Sequence, residues 1–295
     1  MKNKVLMLIM LIGLSGSGFF FYSSIPQRVS NRDVFGTLKR NQIWSGRIRV
    51  TGDILVMPWV TVTILPGTIV TVSANKDVNN LFGRESCDGI ENYDLLTGMI
   101  SKENDRCGAQ PDEPYRDEAN HISIIIRGVL RAVGTKDKRI TLRSDSQNPT
   151  RYDWNRLEIK NGIVSYADIS DYRILAPMGD STEISHSILS NIGECGICLN
   201  NNRAEIFSDT ISNAGHESID MHNSSPIIRN NHFGPNPNRS CLTINGGAPQ
   251  ITGNTIEKCG SGISLLVPPS DPTLEERLRK ENTFLNNTKD FYFEY

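Results

Sequence analysis

The chain has 295 residues, of which 38% are hydrophobic and 22% charged, enough apolar material to bury a substantial core. Its 31 Lys and Arg nearly balance 33 Asp and Glu, leaving a formal charge of −2. With no basic excess to drive counterion release from phosphates, nucleic acid is excluded as an expected partner.

Lys2 and Lys4 precede an uncharged run over residues 5–22. A basic start followed by an apolar stretch is an export signal, so residues 1–24 read as a signal peptide or an uncleaved N-terminal anchor. Ser15-Gly16-Ser17-Gly18 suits cleavage, whereas Phe19-Phe20-Phe21-Tyr22 prolongs the run toward membrane-spanning length. Either way the mature part is expected to be extracytoplasmic (secreted, periplasmic or on the cell surface), with membrane contact only through that anchor. Residues 25–42 read as a linker. Six cysteines fit such a compartment, where thiols oxidise and stay oxidised.

From residue 43 onward come short β-branched runs: Ile48-Arg49-Val50, Ile54-Leu55-Val56, residues 60–64 and residues 69–72. They are broken by Gly52-Asp53, Met57-Pro58 and Pro66-Gly67, the pattern of strands and turns. Residues 74–120 then interrupt with eleven acidic side chains against five basic ones and no periodicity. A loop so long in a compact domain is functional or disordered. Its acidity would suit calcium, although neither EF-hand nor Gly-Asp repeat spacing is present. Cys87 and Cys107 within it are expected to form a disulfide. Strands resume over residues 121–126, Val129-Leu130, Ile140-Thr141-Leu142 and Leu157-Glu158-Ile159.

From Thr182 a repeat is plain. An apolar residue, a polar turn residue and a second apolar residue recur as Ile184/Ser187/Leu189, Ile206/Asp209/Ile211, Ile228/Asn231/Phe233 and Ile251/Asn254/Ile256, with first positions 22, 22 and 23 residues apart. A second apolar pair follows each unit: Ile197/Leu199, Ile219/Met221, Leu242/Ile244 and Ile263/Leu265. Its i, i+2 spacing is that of a strand with one buried face. A last copy, Asn282/Phe284 then Phe291/Phe293, follows an insertion at 267–281, where Thr273-Leu274-Glu275-Glu276 signals a short helix. Several strands per repeat leave no room for crossover helices. The chain must wind from strand to strand around one core, coil on coil, with Ser187, Asp209, Asn231, Asn254 and Asn282 stacked in a structural column.

These repeats, together with the segments at 128–135 and 154–159, resemble the superfamily of pectate lyases, alginate epimerases and related carbohydrate-binding and sugar-hydrolase β-helices. The resemblance covers residues 43–293. It implies an all-β fold, a single-stranded right-handed parallel β-helix with coils of about 22 residues spanning 43–295, interrupted at 74–120 and 267–281. It specifies function poorly, because one fold hosts many sites.

Chemistry in such a fold comes from outward positions beside each inward pair. With Ile219 and Met221 inward, Ser218, Asp220 and His222 face out together. Asp220-Met221-His222 resembles the Asp-Pro-His motif of alginate epimerases, with Met in place of Pro. In that family the His abstracts the C5 proton of a uronic acid, which makes Asp220 and His222 the catalytic candidates. The family's Tyr and Lys have no counterpart. Asn200, Arg203, Arg229, Thr243 and Asn245, on adjacent coils and turns, are candidate substrate-binding residues, and His216-Glu217 reads as a turn. Cys195-Gly196-Ile197-Cys198 has the spacing of redox and zinc sites, but no helix start follows to lower a thiol pKa. Local disulfides or buried thiols are expected there. No metal ligand set is specified and no cofactor is implied beyond calcium.

The function expected is an exported protein that binds, and in the enzymatic case modifies as a lyase, epimerase or hydrolase, an extended polysaccharide or cell-surface glycan. The alternative is a non-catalytic surface or scaffold protein acting through its acidic insertion.

Overall fold

Along Ile197–Asn200 and Ile219–His222 the first and third residues are buried and the fourth is exposed, the alternation of a strand with one wet face. The structure, a computed structural model, describes residues 25–82, 90–94, 99–103, 121–269 and 271–295. Ile90–Asp94 and Met99–Glu103 pair antiparallel, and all other strand pairings among the described residues are parallel. They build a 17-stranded sheet and a 5-stranded sheet.

Like stacks on like. In the large sheet one column runs Ile184, Ile206, Ile228, Ile251. A second runs Leu142, Ile169, Leu189, Ile211, Phe233, Ile256. In the small sheet Ile197, Ile219, Leu242, Ile263 and Phe291 align. Every one of these is buried in a single continuous core. A coil alone could not cover its apolar face, so stacking is what stabilises each layer.

The period of 22 or 23 residues belongs to the C-terminal half, where Ile184, Ile206, Ile228 and Ile251 are successive partners. Upstream the coils are uneven, with Ile124 opposite Leu157 but Leu157 opposite Leu175. The segment read as a linker is the first layer instead: Gln27–Leu38 pairs in parallel with Gln42–Val56 and buries Val29, Val34 and Leu38. Asn31 and Gly36, at φ 51° and 82°, bend this strand and break the regular spacing that would have announced it. Across the insertion, Ile54–Val56 pairs directly with Ile124–Ile126. The expected Cys87–Cys107 bridge lies outside the described residues.

The polar column is a hydrogen-bonded ladder. The backbone N–H of Ser187 donates to Asp209 Oδ1 (2.6 Å), that of Asp209 to Asn231 Oδ1 (2.9 Å), that of Asn231 to Asn254 Oδ1 (2.8 Å), and that of Asn254 to Asn282 Oδ1 (3.0 Å). Nδ2 of Asn231, Asn254 and Asn282 donates in turn to the carbonyls of Ile206, Ile228 and Ile251. Asn254→Ala would orphan the Asn231 N–H in a buried turn and remove the Nδ2 donor from the Ile228 carbonyl. At about 1–3 kcal/mol per orphaned group, chemical denaturation should show a loss of roughly 3 kcal/mol. A loss below about 0.5 kcal/mol, the usual range of a surface change, would mean the ladder does not hold the turns.

Between the last two coils sits the helix Leu274–Glu281, whose Leu274 and Leu278 join the core while Asp271 accepts from the Thr273 N–H and hydroxyl at its start. Among the described residues two disulfides are present, Cys195–Cys198 and Cys241–Cys259. They accord with an oxidising, extracytoplasmic location.

Candidate active site

Three strands of the small sheet, Ile197–Asn200, Ile219–His222 and Asn236–Asn245, lie side by side with Cys198, Asp220 and Thr243 in one row and Asn200, His222 and Asn245 in the next. Asn201, Asn223 and Gly246 follow them at φ 51°, 47° and 84°, so each strand ends in a left-handed turn. That conformation suits Asn and Gly, which is why the sequence places them there.

His222 is held from both sides. Its Nε2 lies 3.1 Å from Asp220 Oδ2, and its Nδ1 lies 3.1 Å from Asn245 Nδ2. Because the Asn245 amide can only donate, Nδ1 accepts, and the ring proton of neutral His222 sits on Nε2, donating to Asp220. Nδ1 is therefore the basic nitrogen, and a ligand that draws Asn245 away uncovers it. Burial pushes the Asp220 carboxyl above its ordinary value, the Glu217 charge adds to this, and His222 opposes it. Asp220 Oδ1 is buried without a hydrogen-bond partner among the described residues.

His216 and Glu217, read as turn residues, belong to this patch. His216 Nδ1 contacts Glu217 Oε2 at 2.7 Å, and this bond raises the His216 pKa. Their contribution was legible only as proximity in sequence to Asp220, because the turn that carries them has no signature of its own.

Residues 174–293 match the family model for the right handed beta helix region. The chain is a right-handed parallel β-helix. No curated protein and no solved structure matches it.

The β-helix brings some expected residues together and separates others. Asn200 and Asn245 flank His222 on neighbouring strands. Thr243 lies beside Asp220 but is buried, at 4% exposure, so it supports the strand rather than facing a ligand. Ser218 is likewise fully buried, its Oγ without a partner among the described residues, instead of facing solvent. Arg229 belongs to the large sheet, with its guanidinium 3.9 Å above the Phe207 ring, which removes it from the site. Arg203 is exposed on the turn after Asn200, its N–H donating to Asp180 Oδ1.

Two hollows lie elsewhere: an apolar one within the N-terminal core, and a polar one of about 370 Å³ lined by Arg143, Asp145, Gln147 and neighbours. Neither includes Asp220 or His222. Among the described residues no three His, Cys, Asp or Glu side chains converge as a metal site. At the root of the acidic insertion Asp53 accepts from the Ser123 and Phe82 N–H groups, and Asp77 accepts from the Asp53 N–H. Burial and the neighbouring Asp77 push the Asp53 pKa up to about 7.

Proposed function

We propose that this β-helix is exported, and that it binds an extended, uronate-containing polysaccharide along the outer face of its small sheet, with Asp220 and His222 as a proton-transfer pair. The observation that carries the reading is the Asp220–His222–Asn245 chain of hydrogen bonds on the open face. Asp220 keeps the imidazole in one tautomer and would stabilise the imidazolium, while Nδ1 takes a proton from the sugar carbon beside the carboxylate. Such an orienting carboxylate is a recurrent way of raising the competence of a histidine base. Asn200 and Asn245, and Arg203 at the turn, offer donors to hydroxyl and carboxylate groups. Repetition of polar side chains at strand spacing of roughly 4.8 Å suits a periodic polymer.

A second reading has its own support. The His222 side chain is 47% exposed, and so open a face favours binding without chemistry. A panel of polyuronates and neutral glycans, followed for both retention and product, separates the two. Retention with new product from a polyuronate is expected. Retention alone would make the protein a binding module, and retention of nothing on the panel would overturn the glycan assignment.

A further inference from the structure

The two disulfides differ in a way that the fold does not require. Cys241 and Cys259 are 0% and 1% exposed and close a sequence separation of 18 between stacked strands, as a structural bridge does. Cys195 and Cys198 close a separation of only 3. The entropic gain of a cross-link grows with the loop it closes, so this bond contributes the less of the two to holding the coils. It is also lopsided: Cys195 is 8% exposed, while Cys198 is only partly covered on the outward face.

Cys198 lies opposite Asp220 on the paired strand, on the same face. Asp220 Oδ2 is occupied by His222, but Oδ1 is buried and unpartnered among the described residues. Nearby, the backbone of Glu217 and Ser218 accepts the Gly196 and Ile197 N–H groups, and the fully buried Ser218 Oγ has no partner among the described residues. The turn carrying Cys195 is tied on both sides: Glu194 is bonded at 2.8 Å to the buried Arg173, and the Tyr172 hydroxyl donates to the Gly196 carbonyl.

We propose that Cys195–Cys198 is a redox-active disulfide that exchanges with thiols, with Asp220 moving the proton of Cys198. A thiolate from a small or protein thiol attacks the Sγ of Cys198, the less buried residue of the pair. The Sγ–Sγ bond breaks, its electron pair leaves on Cys195, and a mixed disulfide forms at Cys198. A second thiolate attacks the outer sulfur of that mixed disulfide, releasing the oxidised thiol and a Cys198 thiolate, which takes the proton of the Asp220 carboxyl. Cys195 takes its proton from solvent. In sum, two thiols give one disulfide while the protein disulfide becomes a dithiol. In the reverse direction Asp220 accepts the Cys198 proton and makes it the attacking thiolate. Glu217 and His222 on the same stretch of chain, His216 at the turn, and Glu194 and Arg239 from the flanking coils are the other charged or titratable groups around this position.

The test uses the full chain in graded glutathione redox buffers, with alkylation and peptide mass spectrometry. Cys195–Cys198 should open in buffers that leave Cys241–Cys259 closed, with the fold intact by circular dichroism. In Cys195→Ser the glutathione adduct should sit on Cys198. Asp220→Asn should slow exchange by about 10²-fold and flatten its pH dependence. The readout is thiol chemistry, so it fails or succeeds separately from glycan turnover. Simultaneous opening of both bridges, opening only on unfolding, or an unchanged pH profile in Asp220→Asn would overturn the proposal.

Discussion

Replacing His222 with Ala is expected to lower turnover of the polyuronate substrate by 10²–10⁴-fold, about what loss of a general base removes. The side chain is 47% exposed, so stability should move by no more than about 0.5 kcal/mol. Asp220→Asn keeps the size and places an amide against Nε2. It should leave binding largely intact while lowering turnover, because a neutral amide supplies no charge to stabilise the imidazolium. Asn245→Ala is the informative companion. It uncovers Nδ1, so a raised rate at low substrate would identify Asn245 as a cover, and a lowered one would identify it as a substrate contact. Full turnover in His222→Ala would end the catalytic reading and leave the binding one.

Wild-type stability is expected to fall as pH rises from about 4 to 8, and Asp209→Asn to make that fall shallower. Asp209 occupies a rung of the ladder where Asn231, Asn254 and Asn282 each use Nδ2 to reach a carbonyl one coil away. Its Oδ1 accepts the Ser187 N–H, as theirs accept the N–H of the preceding coil, but its Oδ2 is buried with no partner among the described residues. An ionised carboxylate has nothing to donate there. Burial accordingly pushes its pKa from the ordinary 3.8 up to about 8, against the opposing backbone bond from Ser187 and the Arg139 charge. A folded-state pKa above the unfolded one means that the folded chain holds the proton more tightly. The stabilisation is complete below pH 4 and is lost as pH rises through 8. At 1.36 kcal/mol per pH unit the full span is on the order of 5 kcal/mol. Asp53, raised to about 7 by burial and by Asp77, adds a slope of the same sign, so the difference between wild type and Asp209→Asn isolates the ladder contribution. Urea denaturation from pH 4 to 9 is the measurement. Parallel stability curves for the two proteins would refute the protonated rung.

The sequence by itself determined the stack. Apolar pairs at i, i+2 can be buried only on one face of a strand, and their recurrence every 22 or 23 residues allows nothing but coil upon coil. That reasoning located the Ile184 and Ile197 columns and the Asn ladder residue by residue. It also put His222 on the wet face and Asp220 half-way into it, because strand parity is a local property, but the same parity misplaced Ser218, which the neighbouring coils bury. What it could not reach depends on contacts between residues far apart in the chain. Gln27–Leu38 became a strand only because Gln42–Val56 offered it a paired edge. Arg229, close to His222 in sequence, went to the other sheet because the turn after Asn223 redirects the chain. Asn245 met Nδ1 of His222 from 23 residues away. Which oxygen of Asp220 is left without a partner among the described residues, and that Cys241–Cys259 rather than Cys195–Cys198 is sealed from solvent, followed from burial. Burial is set by the neighbouring coils and the turns that cover them, and no single repeat contains that information.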